Sequence, residues 1–232
     1  MSKKTTPLTA PKNELSTEKS FADGYNFYKL FWVFFIGCFV GTIIEMFFCF
    51  ISMHVIESRA GVIYGPFNPV YGFGAVLMTV GLQKFANKHG IFAFIGSAII
   101  GTAFEYFCSL FQELAFGTIS WEYSDAPMNL HGRVALSFSV AWGLLGLIWI
   151  KGAYPWLSKK IEKIPNKVGK PLTIILTIFM VFNLGISAIA VARQTARHND
   201  VPATNGFTQF IDRHYTDEYL KKIYPHMEVV EK

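Results

Sequence analysis

Five stretches of this chain are too apolar and too long for water to be their solvent: Leu30 to Met53, Pro66 to Leu82, Ile91 to Phe116, Val134 to Ile150 and Pro171 to Ala192. A helix that crosses a bilayer needs about 20 mostly apolar residues. Backbone polar groups in hydrocarbon must be satisfied inside the segment, which makes these stretches helices. The second is the shortest, and Gly72, Gly74 and Gly81 interrupt it. The expectation is an all-α, polytopic membrane protein with five transmembrane helices. Residues 1–28 are polar and read as a flexible tail, 29–193 as the membrane domain, and 194–232 as a partly helical tail. The first apolar run starts too late and continues too long for a cleavable signal peptide.

Composition supports this class. Charged residues make up 16% of the chain, against about 25% in a soluble domain. Mean hydropathy is +0.33, which excludes a disordered chain. The three cysteines have neither a disulfide framework nor metal-ligand spacing, so no metal and no cofactor is expected. Cys49 and Cys108 read as small core residues.

The net charge of +5 does not point to nucleic acid, because the basic residues mark one face of the membrane. Lys3, Lys4, Lys12, Lys19 and Lys29 precede the first span, Lys84 and Lys88 follow the second, and six lysines from Lys151 to Lys170 follow the fourth. Those 13 face only Arg59 and Arg133 in the loops of the other side. Basic loops stay cytoplasmic, so the expected placement is a bacterial cell membrane, N-terminus inside and C-terminus outside. Tyr154, Trp149 and Trp156 sit near the inner end of span four as an interfacial aromatic belt. In the outer tail, Phe207, Phe210 and Ile211 read as a short amphipathic helix, and Thr216 before Asp217 and Glu218 as a second helix start.

An internal repeat is visible. Gly41-Thr42-Ile43-Ile44-Glu45-Met46-Phe47 and Gly101-Thr102-Ala103-Phe104-Glu105-Tyr106-Phe107 share G-T-x-x-E-x-F. Gly37, Gly41, Glu45 and Cys49 form one helical stripe; Ser97, Gly101, Glu105 and Ser109 form its counterpart. Pro66-x-Asn68 and Pro127-x-Asn129 echo each other in the outer loops. The pattern reads as a duplicated parallel helical hairpin, spans one and two repeated as three and four, with span five added. Small residues allow close helix approach in lipid.

Glu45 and Glu105 fall inside apolar spans, where a charge costs roughly 2.5–3.5 kcal/mol on insertion scales. One reading is a carboxylate-lined path for a proton, cation or substrate. The other is a pair of structural glutamates, with Arg133 as nearest counter-charge. Asn68 and Asn129 are placed with them on the path. Trp121, Asp125 and His131 make the loop 117–133 chemically dense, and Glu113 faces the headgroups at the outer end of span three. The Gly/Pro-rich run Gly65 to Gly74 is either a re-entrant segment or a tight turn with close packing. Gly72-x-Gly74 lacks the rest of a dinucleotide fingerprint. No nucleophile–base motif appears. No G-x-x-x-x-G-K-[ST] appears either, so ATP-driven work requires a separate ATPase subunit at the cytoplasmic face. Loop 151–170 is its docking candidate; the alternative is a basic, lipid-facing loop.

The G-x-x-x-E of span one, G-P-x-x-P-x-Y-G at Gly65 to Gly72, G-x-x-x-E-Y at Gly101 to Tyr106 and W-x-Y-S-x-x-P-x-N-x-x-G-R at Trp121 to Arg133 resemble the type IV ABC-transporter (CmpB-like) family of bacterial membrane proteins. Trp142-Gly143 and Tyr224-Pro225-His226-Met227 extend the resemblance. It covers roughly residues 30–228 and implies a five-span membrane protein with a transport role. It carries over no substrate and no site residue. The expectation is a permease-like subunit, embedded in the lipid bilayer, that moves an unidentified substrate. Two rivals stand beside it: a membrane-embedded enzyme acting on a lipid or cell-envelope substrate at the outer leaflet, and a non-catalytic assembly or regulatory subunit.

Overall fold

The structure, a computed structural model, describes residues 19–230. It is mainly helical. Four helical segments are long and apolar enough to cross a membrane: Phe27–Ser52, Gly90–Phe116, Leu136–Glu162 and Asn166–His198. They contain α1 (Phe27–Met53), α3 (Gly90–Phe116), α4 (Leu136–Ile148) joined to α5 (Tyr154–Glu162) through a π-helical turn at Trp149–Ala153, and α6 (Asn166–His198). The expected second span is shorter than its apolar run. Here α2 covers only Pro69–Gly81, 13 residues, about 20 Å at ~1.5 Å per residue. Its start is set by Asn68, whose side chain caps Val70 N–H, and by Pro69 at the first helical position, where a missing N–H costs nothing.

The residues ahead of α2 are apolar in sequence but irregular in backbone, and buried polar side chains of α6 hold them. Ile63 N–H donates to Ser187 Oγ at 2.9 Å, and Tyr64 N–H donates to Asn183 Oδ1 at 3.0 Å. Asn183 Nδ2 donates back to the Tyr64 carbonyl at 2.7 Å. Asn68 N–H reaches the Cys38 carbonyl of α1 at 3.1 Å. Irregular backbone at such depth persists only where protein or water satisfies it; here Asn183, fully buried, does so in both directions.

Glycines set the close helix contacts. Along the antiparallel pair α1 and α2, a Cβ on Gly37 would lie 3.2 Å from Gly72 Cα, one on Gly41 would enter the Tyr71 side chain, and one on Gly72 would meet Cys38 and Phe34. Along α3 and α4, a Cβ on Gly101 would enter the Trp142 side chain, one on Gly143 would meet Phe94, and one on Gly146 would meet Ser97. The first helices match in length, with 27 residues each in α1 and α3, but α2 stops at Gly81 whereas α4 continues through the π-helical turn into α5. Between the pairs, Gly74 of α2 faces the Trp142 ring, which a Cβ added there would meet at 3.4 Å.

Residues 1–18 of the expected first tail lie outside the described residues. From residue 19 the chain is packed: Phe21 and Ala22 are buried, the Phe21 ring fills the space over Gly169, and Asn26 caps α1 through Lys29 N–H. The Lys29 ammonium is buried and pairs with Glu162 and Ser158 of α5. Trp32 Nε1 donates to Thr173 Oγ1, and Trp149 Nε1 to Thr79 Oγ1, both at 2.9 Å. This end carries Lys84, Lys88 and the lysines of α5 and early α6.

At the opposite end lie α7 (Gly206–His214) and α8 (Asp217–Ile223). An Asn205–Thr208 capping box opens α7, and Thr216 caps α8. Ile211 and Leu220 are fully buried against Ile63 and Ala190. Asp212 is clasped by Arg193 at 2.7 Å and by Arg197, and Arg197 also binds Asp217. Strand β1 (Thr118–Ile119) pairs antiparallel with β4 (Glu228–Val229), and β2 (Asn129–Leu130) with β3 (Val134–Ala135).

Candidate functional site around Glu45 and Glu105

Each intramembrane glutamate is met by an aromatic donor from the short helix of its own pair. Glu45 Oε2 accepts the Tyr71 hydroxyl at 2.7 Å. Glu105 Oε2 accepts Trp142 Nε1 at 3.0 Å, and its Oε1 accepts the Tyr123 hydroxyl at 3.1 Å. Both ring positions follow from the glycine stripe. Tyr71 lies over Gly41 and Trp142 over Gly101, one helical turn before the glutamate in each case, and the missing Cβ leaves room for the ring.

Tyr123 is the second donor to Glu105. It lies in the loop between α3 and β2, with its ring stacked on Phe138 at 4.3 Å between centroids. Its hydroxyl is pushed far above the ordinary phenol range, first by burial, then by the charge of Glu105 and the hydrogen bond to it, and further by the charge of Glu45. The phenol therefore lies in the field of both carboxylates.

The counter-charges differ from the expectation. Arg133, expected beside the glutamates, pairs with Glu113 at 2.6 Å and donates to Ser109 at 3.0 Å, with its guanidinium 5.9 Å from the Tyr106 ring. Glu113, expected to face the headgroups, is thus an ion-pair partner. The cation near Glu45 is Arg59, at 3.9 Å. Arg59 binds Glu57 more closely, at 2.5 Å, and the same Glu57 oxygen meets His226 Nε2 at 2.6 Å. A chain of polar contacts therefore runs from the tail residue His226 through Glu57 and Arg59 to Glu45. The Arg59 Nε is buried with no partner among the described residues. Glu105 has neutral donors only on both oxygens.

The remaining expected residues shape loops. Asn68 caps α2, and its Nδ2 holds the Arg59 carbonyl at 3.1 Å. Asn129 binds the carbonyls of Ser124 and Ala126 and accepts from Gly132 N–H. Trp121 Nε1 donates to the Arg133 carbonyl at 3.1 Å. His131, with φ at +54°, bonds Tyr106 through Nδ1 at 2.8 Å. Asp125 is exposed. Among the described residues no three His, Cys, Asp or Glu side chains gather as metal ligands do.

Sequence reading did not assign Tyr71, Trp142, Tyr123, Arg59, Glu57 or His226 to the site. One signal was present. Tyr71-Gly72 and Trp142-Gly143 are both aromatic–glycine pairs, followed three residues later by Ala75 and Gly146, so the second helices repeat as the first ones do. Chemically, two carboxylates held by hydroxyl and indole donors can take up protons, bind a cation or accept hydrogen bonds from a polar solute. The insertion cost of an intramembrane ionisable residue makes each glutamate a candidate functional position.

Residues 32–188 match the family model described as "Putative ABC-transporter type IV". The match begins at Trp32 in α1 and ends at Ala188 in α6, so it contains both glutamates and all their donors and stops before α7. No curated protein and no solved structure matches the chain.

Proposed function

Because the chain belongs to the type IV ABC-transporter family, we propose that it is the permease subunit of a transporter and passes a polar solute along a path lined by Glu45 and Glu105. It is an ABC-transporter-related, multi-pass membrane protein. The chain lacks a phosphate-binding loop of its own, so a separate ATPase supplies the energy, docked at the lysine-rich end. That end is the cytoplasmic one by the distribution of basic loops. The α2 stretch is the fifth crossing, completed by the clasped segment before it. The two helix pairs are copies of one hairpin, a reading supported by the equal lengths of α1 and α3 and by ring-over-glycine contacts in both pairs.

The observation that carries the proposal is the repeated carboxylate–aromatic pair inside the apolar bundle, one pair per hairpin. The enzyme alternative calls for a lipid-open pocket converging on Glu105, His131 and Arg133. The geometry weighs against it, because Glu105 faces Trp142 and Tyr123 whereas Arg133 is held by Glu113. Affinity capture of the full chain from native membranes tests the reading. The expected result is a co-purifying ATPase whose hydrolysis in nanodiscs falls at least tenfold in Glu45→Gln and Glu105→Gln variants that remain folded. Capture without a nucleotide-hydrolysing partner, or glutamine variants with unchanged coupled activity, overturns it.

A further inference from the structure

On the outward side of the second helix pair an open groove of about 510 Å³ runs along α3 and α4, floored by Ala98, Thr102 and Ala103 and walled by Ile99, Phe107 and Leu130. Its lining offers almost nothing to water. The Thr102 and Ser139 hydroxyls hydrogen-bond each other at 2.7 Å. The Tyr106 hydroxyl is taken by His131 at 2.8 Å. Every hydroxyl in the wall thus has a partner, and what remains is hydrocarbon.

We propose that this groove is a lipid-binding site that holds one acyl chain of a glycerophospholipid from the surrounding bilayer, with the phosphate end drawn to His131. Two features select this occupant. First, the groove is continuous with the lipid-facing side of α3: Ile99 and Phe107 are each 65% exposed, as they must be if lipid covers them. Small residues in its floor make a trough there, whereas the exposed face of α1 carries Phe47, Phe48 and Ile51 as ridges. Second, one end is polar and the rest is not. When Tyr106 donates to Nδ1 of His131, Nε2 carries the ring proton, and an exposed imidazole N–H at the end of an apolar trough suits a phosphodiester oxygen. The glutamates do not line the groove, so the site is separate from the proposed transport path and stands or falls without it.

The test uses the full chain in nanodiscs containing phosphatidylglycerols that carry a photoreactive group at successive depths along one acyl chain. The expected result is labelling concentrated on residues 98–107 and 130, at least fivefold above the equally exposed stretch 47–51, and displaced by excess unlabelled lipid. Ala103→Phe fills the trough and abolishes the excess. His131→Ala leaves the groove open and weakens displaceable labelling several-fold. Even labelling of the 47–51 and 98–107 stretches, or labelling that excess lipid does not displace, overturns the proposal. If Ala103→Phe fails to fold, the comparison between the two stretches in the unaltered protein still decides it.

Discussion

Arg59 stands between two glutamates, 2.5 Å from Glu57 and 3.9 Å from Glu45. One cation is shared between a loop carboxylate and an intramembrane one, and the loop carboxylate also binds His226. Arg59→Ala removes the shared charge from two carboxylates whose side chains are only 21% and 26% exposed. Removing one partner of a buried pair costs about 3–5 kcal/mol, which is the upper bound here. His226 is 47% exposed, and exposed pairs contribute about 0–1 kcal/mol. Thermal unfolding in detergent should therefore rank Arg59→Ala as clearly destabilised and His226→Ala as nearly unchanged. Equal losses would contradict this ranking.

The α6 clasp gives a second prediction. Asn183→Leu keeps the volume roughly constant but leaves Tyr64 N–H and C=O without their partner. An unsatisfied buried group costs about 1–3 kcal/mol, and here there are two. Ser187→Ala frees a single N–H, that of Ile63, and should cost about half as much. Denaturation midpoints of the two variants measure the ratio.

Third, the glycines divide into tight and free positions. Gly41→Ala and Gly101→Ala push a methyl into Tyr71 and Trp142, and overpacking costs about 1–3 kcal/mol. Each also displaces the ring that donates to its glutamate. Gly185 has nothing near its missing Cβ, and Gly185→Ala in mid-helix should be neutral or stabilising by about 0.5–1 kcal/mol. A loss at Gly185 equal to that at Gly41 would refute the packing account.

Fourth, acid should release the α7 tail. The hydrogen bond from Arg193, reinforced by Arg197, holds the Asp212 carboxyl below its ordinary range. A depressed folded value means that the clasp stabilises above the unfolded carboxylate value, about 3.9, and fades as pH falls through the folded one. A spin label at exposed Gln209 should become mobile only below the usual carboxylate range. Asp212→Asn should show no such transition.

Fifth, orientation is open to direct labelling. An impermeant maleimide on intact cells should spare Lys167→Cys and label Glu218→Cys, because the basic loops assign α5 and the start of α6 to the cytoplasm. The opposite pattern would invert the proposed topology and place the ATPase at the other end.

The stripe that carries Glu45 and Glu105 was legible because both glutamates share a fixed helical period with small residues of their own helix. Their donors were not, because partners across helices are set by loop length. Glu45 and Tyr71 are 26 residues apart, Glu105 and Trp142 are 37, so no single offset reveals the repeat in the second helices. The length of α2 was misjudged for a related reason. Hydropathy runs the span back to Pro66 and counts Phe67 as apolar wherever it stands, and cannot register that Asn68 caps the helix one residue before Pro69 or that Asn183, more than a hundred residues later, satisfies the irregular backbone at Tyr64. Arg133 was assigned to the glutamates because it enters at the outer end of span four, when Glu113, two turns beyond Glu105 on the same face of α3, was the nearer partner.

The glycine contacts also have a mechanical consequence. Inside the first hairpin Gly37 and Gly72 bring the two backbones almost into contact, whereas in the second the Trp142, Phe94 and Ser97 side chains fill the spaces over Gly101, Gly143 and Gly146. Bare backbone has no rotamer that can yield, so the first pair is stiffer against shear than the second, whose contacts run through side chains.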